Sequence, residues 1–379
     1  MRRKRLSRSS SHLLEKIENL HSTPLYQLSD LLKDLVVGAQ MQGDPAGEQK
    51  INTYVQNILD RLPHRLDDRF LFDAYLIQST LNSWSQGEIR LSNMVIPTYS
   101  IDWGHEPPIL IQSVRNSQKH RFDIIRIRSN EQEGNPDLID YPWLFHELGH
   151  LLISKHGQTI LDRFLPKFNT LISRLKIRSI ADTGSAKIKA DMITEEISAR
   201  WIPSSINDPA WLRELVVDVI ALWSLGPAYI EAFESEHTNV SDPFLIEQGH
   251  PPVELRTRAL VETANKLGWK NETQKLKASI KLWRDDLPQL IRNRYISLSQ
   301  IGLINAAINV TTDFCTTAKI PRLDTPQMER IIGLINDNIV PEESVEIIFG
   351  AFLVYEKDET IYENWEANIY QTLVNEIKP

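Results

Sequence analysis

The chain has 379 residues, 41% of them hydrophobic and 24% charged, enough apolar material for a sizeable folded core. A formal net charge of −8 speaks against a general nucleic-acid-binding surface, and no apolar run approaches the roughly 18 residues that a spanning helix needs. The single cysteine, Cys315, excludes an intramolecular disulfide and a cysteine-based zinc site, so a reducing, cytoplasmic setting is expected.

Residues 1–12 carry Arg2, Arg3, Lys4, Arg5 and Arg8 with no apolar stretch behind them. They read as a solvated basic tail, which attracts polyanions only weakly and in a salt-sensitive way, and not as a secretory signal. Residues 13–88 form an N-terminal helical region, with amphipathic segments at Leu13–Leu20, Pro24–Val37, Ile51–Leu62 and Phe70–Trp84. His64 in this block, and His105 and His120 beyond it, fall in loops and receive no role.

The character changes at about Ile89. Met94–Tyr99, Ile109–Val114 and Phe122–Arg128 are short β-branched runs separated by turn residues, and they predict a small, mostly antiparallel sheet. In the last run Ile125 and Ile127 alternate with Arg126 and Arg128, the pattern of a half-buried or edge strand.

The stretch from Asp140 to Lys155 then reads as a helix, with Asp140 as cap and Pro142 in its first turn. It contains His146-Glu147-Leu148-Gly149-His150. Residues four apart are about 400° apart on a helix, so both imidazoles project from one face, one turn apart. That spacing suits chelation of one metal ion, and Glu147, about 100° round from His146, can reach a metal-bound water without being a ligand. The chemistry implied is zinc-activated water, with the carboxylate taking its proton. The bland alternative is a surface histidine pair. Trp143, Leu144, Phe145, Leu151, Leu152 and Ile153 argue that the helix is buried, where unpaired imidazoles would be costly. Gly149 inside a helix marks close approach of another backbone.

Beyond the motif the chain reads as helical. Thr159–Ile177 is amphipathic with Pro166 as a kink or boundary, Ser185–Ile202 follows, and Asp208-Pro-Ala-Trp211 starts a helix ending at Leu225 before Gly226-Pro227. Ala228–Phe233 is a short helix, and Gly249-His250-Pro251-Pro252 opens another through Leu267. From about Asn271 come further helices, at 273–295 (with Pro288 a break), 297–317, 326–339, 342–355 and 359–377, without a histidine. The segments divide as a tail (1–12), an N-terminal helical region (13–88), a catalytic domain (89–270) and a C-terminal helical domain (271–379) used for packing or for a protein partner.

A catalytic zinc takes three protein ligands and keeps one open position. Glu214 and Asp218 share a face of an otherwise strongly apolar helix, which leaves little exposed surface to explain two carboxylates. Glu214 is the expected third ligand, and Asp218 the acceptor that fixes the tautomer of a liganding histidine. Glu195-Glu196 is the competing candidate, although its more polar surroundings are those of a solvated face.

HELGH followed 64 residues after His150 (214 − 150) by Glu214-Leu-Val-Val-Asp218 resembles the gluzincin branch of the zincin metallopeptidases. The string Phe145–Leu152 is also similar to intracellular bacterial metallopeptidases that cleave phage or stress repressors, whose third ligand usually follows at shorter spacing. The resemblance spans roughly residues 90–270 and is specific only at the two motifs. It implies that His146, His150 and Glu214 bind Zn2+ and that Glu147 is the general base. It also implies that an edge strand near Phe122–Arg128 holds an extended peptide. His250, in a rigid turn at a helix start, is the candidate for holding the oxyanion, with Tyr229 a second candidate. Arg256, one turn into the same helix, could bind a substrate carboxylate. His156, about 600° round from His150, is not a ligand.

The expectation is therefore a mainly helical α+β, zincin-like chain that hydrolyses peptide bonds in a protein or peptide substrate. The alternatives are a zincin scaffold that regulates a partner without turnover, and a zinc hydrolase of a non-peptide substrate.

Overall fold

The computed structural model describes residues 68–85, 95–100, 109–115, 121–128, 138–180, 185–203, 210–237, 240–247, 249–287 and 289–377, with isolated positions before residue 68. The basic tail, most of the helices expected over 13–62, and His64, His105 and His120 lie outside the described residues.

The described part is mainly helical. Helix α1 (Asp68–Ser85) precedes three strands, β1 (Val95–Ser100), β2 (Ile109–Arg115) and β3 (Arg121–Arg128), each within one residue of its expected bounds. The sheet is mixed rather than mostly antiparallel. Its order is β1-β3-β2, with β3 antiparallel to β2 and parallel to β1. The short 116–120 connection turns β2 directly into β3, which imposes an antiparallel pair, whereas β1 reaches β3 only across β2 and no turn dictates its sense. A second expectation changes with it. Because β3 is the central strand, both of its backbone edges are taken, and an extended peptide can add only at β1 or β2.

After a 3-10 turn at Leu138–Asp140, helix α2 runs unbroken from Pro142 to Ile180. Pro142 occupies the first helical position, where its missing N–H is harmless. Asp140 belongs to the preceding turn rather than to the helix. No boundary falls at Pro166. Ile160, Phe164, Phe168 and Ile172 recur at four-residue steps and are buried, extending the stripe begun by Leu148 and Leu152. Burying each such side chain is worth roughly 1.5–3 kcal/mol, which together outweighs the ~3 kcal/mol cost of an interior proline.

Helix α3 (Ser185–Trp201) leads to α4 (Trp211–Leu225), whose N-cap position is the extended Ala210; Asp208 lies outside the described residues. All of α4 except Arg213 is buried, and the helix packs against α2. The contact is tight at Gly149, where an added Cβ would stand 3.1 Å from the Val217 side chain. The glycine thus lets α2 approach the very helix that carries Glu214. Gly226, at φ 52°, ends α4 in a conformation that glycine adopts without strain.

Then come α5 (Pro227–His237), α6 (Val253–Leu267), α7 (Gln274–Asp285), α8 (Gln289–Leu298), α9 (Ile301–Thr317), α10 (Thr325–Asn336), α11 (Ser344–Lys357) and α12 (Glu359–Ile377). One helix ends at Asp285 and the next begins at Gln289, on either side of the break expected at Pro288, which itself lies outside the described residues. Asp324 and Gln327 form a reciprocal capping box at the start of α10. α9 lies against both α2 and α4, and one cluster of buried side chains runs from Phe72 to Val374. Among the described residues, no helix is long and apolar enough to cross a membrane.

Candidate metal centre

His146 and His150, one turn apart on α2, present rings with centroids 5.0 Å apart. Glu214 sits in the first turn of α4, where the close α2–α4 packing brings its carboxylate across both of them. Its Oε2 is 3.6 Å from His146 Nε2 and its Oε1 is 3.8 Å from His150 Nε2. Glu147 Oε1 is 3.9 Å from the same His146 Nε2. His146, Glu147 and Glu214 are buried, and His150 nearly so. His146, Glu147 and His150 offer ligand atoms that all lie within 4.8 Å of one another, so they could hold a metal ion.

The donor chemistry fits that use. Zinc ligands at about 2.0–2.2 Å from the ion in tetrahedral array stand roughly 3.3–3.5 Å apart. The spacings from Glu214 to the two imidazoles exceed this by a few tenths of an ångström, within reach of small side-chain adjustments. Glu196, the competing carboxylate, is elsewhere: Arg294 grips it on both oxygens, and Arg200 lies 3.7 Å away.

Behind the imidazoles lies a buried polar network. His146 Nδ1 is 2.9 Å from Asp218 Oδ1, which also accepts the Tyr229 O–H at 2.6 Å. Arg256 clamps the same carboxylate, Nε donating to Oδ2 and Nη2 to Oδ1, both at 2.8 Å. Its guanidinium also lies over the Phe233 ring, 5.1 Å from the centroid. Asp218 therefore accepts from His146 Nδ1 and turns Nε2 toward Glu214. Two earlier expectations are corrected here. Arg256 is buried against Asp218, not offered to a substrate carboxylate, and Tyr229 spends its O–H on Asp218, not on an oxyanion.

His150 is held differently. Arg213 Nε donates to its Nδ1 at 3.2 Å, which places the ring's proton on Nε2, facing Glu214. For Nε2 to bind a metal, Arg213 must withdraw so that Nδ1 can take that proton. Sequence reading missed Arg213, whose only signal was its position beside Glu214. It also missed His237, half-buried in a stack on Phe233 with ring centroids 4.2 Å apart and packed beside Trp143.

The charges follow from burial and partners. Burial pulls the His146 imidazole down, but the hydrogen bond to Asp218 and the Glu214 carboxylate outweigh it and lift its pKa to about 9. Burial takes His150 down to about 3, with Glu214 opposing only in part. It does the same to His237, also to about 3, with the Arg256 charge adding to the effect. Burial works against ionised Glu214 and Asp218 too. The charges of His150 and His146 nevertheless hold Glu214 below the usual carboxylate range, and Arg256 does so for Asp218.

These shifts predict a stability optimum near pH 6.5 for the metal-stripped chain. Above it, the folded state holds a proton on His146 that the unfolded chain has released, so stability falls until about pH 9. Below it, the unfolded chain protonates His150 and His237 while the folded state does not, so stability falls toward about pH 3. Two histidines act on the acid side and one on the alkaline side, so the acid limb is steeper. Thermal melts in chelator across this range check it, and a midpoint rising steadily from pH 6.5 to 9 would contradict the assignment of His146.

His250 is exposed at 65% in the loop before α6, with Nδ1 3.8 Å from Glu247 Oε2. It acts on Glu214 only through its charge and makes no hydrogen bond to the centre among the described residues. His156 points away from the ligands, its ring 6.0 Å from that of Phe314. Compared with protein-family models, curated proteins and solved structures, the chain matches none, so the centre is interpreted from its own geometry and chemistry.

Proposed function

We propose that the chain is a zinc-dependent peptidase of the zincin type, with a gluzincin-like ligand set of His146, His150 and Glu214 and with Glu147 as general base. The observation that carries this is the Glu214 carboxylate lying 3.6–3.8 Å from the Nε2 atoms of both motif histidines, with Glu147 buried beside His146. When bound, zinc supplies Lewis acidity toward a carbonyl oxygen and toward water.

The protein's own groups do the rest. Asp218 orients His146, and Arg256 and Tyr229 hold Asp218 in place. Glu147 takes a proton from the attacking water and returns it to the leaving amine. Trp143, packed edge-on against the His146 ring, limits bulk water beside the centre and strengthens these electrostatic contacts. An extended peptide pairs with an outer edge of the sheet, and β2 is the edge strand that packs against α2.

Metal analysis of the purified chain tests the ligand set. His146→Ala, His150→Ala and Glu214→Ala should each lose the bound zinc that the wild type retains. Full metal content in Glu214→Ala would remove it from the set. Comparison of new N-termini in cells expressing the wild type or Glu147→Gln tests the reaction. Identical profiles, together with capture of a stable partner, would favour a scaffold that acts without turnover.

A further inference from the structure

A second polar site lies on the opposite side of helix α6 from the metal centre's network. Arg256 faces Asp218, whereas Glu254 and Arg258, four residues apart and about 200° round from it, face away. There, α6, α7 and α8 border a half-open cavity of about 390 Å³ lined by Arg258, Arg284 and Arg292 together with Tyr295, Ser299 and Gln300. Glu254 is fully buried behind it. Its carboxylate accepts from Arg258 Nε at 3.1 Å, from Arg284 Nε at 2.6 Å and from the Tyr295 O–H.

One carboxylate does not satisfy three guanidinium groups. Among the described residues three positive charges meet one negative, a formal excess of two, and Asp285 and Asp286 are exposed and do not line the cavity. Arg258 Nη2 donates to the Ser299 carbonyl at 3.0 Å and Arg292 Nη2 to the Leu287 carbonyl at 3.2 Å. Arg292 Nε, in contrast, is buried with no hydrogen-bond partner among the described residues. A buried donor without a partner and converging cations are an arrangement that an anion completes. Arginine forks match the oxygens of a phosphoryl group, and Leu287, Ile296 and Ile301 provide an apolar wall beside them. The volume falls within the roughly 300–1,000 Å³ of small-molecule pockets and exceeds what a bare phosphate fills.

We propose that this arginine-lined cavity binds the phosphoryl group of a small molecule. Arg292 and Arg284 hold the phosphoryl oxygens and Glu254 fixes the arginines around them. The site stands independently of the metal centre's function.

Calorimetric titration of the full chain with inorganic phosphate, AMP, adenosine and acetate tests the assignment. Phosphate should bind saturably below about 10 mM. AMP binding more tightly than phosphate identifies a phosphate ester as the ligand, whereas equal or weaker AMP binding identifies the free ion. Arg292→Gln and the half-exposed Arg284→Gln should each weaken phosphate binding by about ten- to a hundredfold. Arg294→Gln, whose guanidinium holds Glu196 instead, should leave binding unchanged. Melting curves of all three variants establish that they fold. The proposal is overturned by absence of saturable phosphate binding, by acetate binding as tightly as phosphate, or by Arg292→Gln and Arg284→Gln both binding like Arg294→Gln.

Discussion

Glu147→Gln is expected to lower peptide hydrolysis by about 10²–10⁴-fold while leaving metal content and melting temperature near wild type. The side chain is buried, lies 3.9 Å from His146 Nε2, and belongs with His146 and His150 to a group that could hold a metal ion. Glutamine keeps its shape and hydrogen-bonding reach but cannot accept a proton from water at neutral pH. The substitution therefore separates chemistry from assembly. A variant that loses activity together with its metal would make Glu147 a structural or ligand residue. One that keeps full turnover would end its assignment as base. Steady-state hydrolysis of a peptide library, read beside metal content on the same preparations, distinguishes the three results.

The second large effect concerns the network behind His146. Arg256→Met should destabilise the chain by about 3–5 kcal/mol, because it leaves the Asp218 charge buried without its main counter-ion. Removing both charges is a different case. In Arg256→Met/Asp218→Leu no uncompensated charge remains, so much of that stability returns. Metal binding should not return with it. His146 Nδ1 has then lost its acceptor, and metal affinity is expected to stay about 10–100-fold weaker. Denaturant unfolding and chelator competition read the two quantities separately. Double-variant affinity equal to wild type would show that Asp218 serves stability alone.

Both predictions concern residues of unequal visibility in the sequence. His146, Glu147 and His150 were readable because their relation is local: helix geometry alone puts positions four apart on one face. The strands at 95–100, 109–115 and 121–128 were readable from β-branched runs between turn residues, and the helix breaks at Gly226 and Pro288 from backbone chemistry. Glu214 and Asp218 stood out because carboxylates are costly in so apolar a helix.

Pairings over long sequence distances were not readable. The order of the strands depends on how β1 folds back past β2, and that made β3 central where alternating residues suggested an edge. Pro166 looked like a boundary because local cost was visible and the compensating burial of Phe164 and Phe168 was not. A buried arginine and a surface arginine look alike in sequence, so Arg256 could not be assigned to Asp218, 38 residues away, nor Arg213 to His150. The HELGH helix and its chelating face were thus determined by sequence alone, through short-range backbone periodicity. Tertiary packing decided which carboxylate meets that face, because the close packing of α4 on α2, tight at Gly149–Val217, sets Glu214 beside both imidazoles.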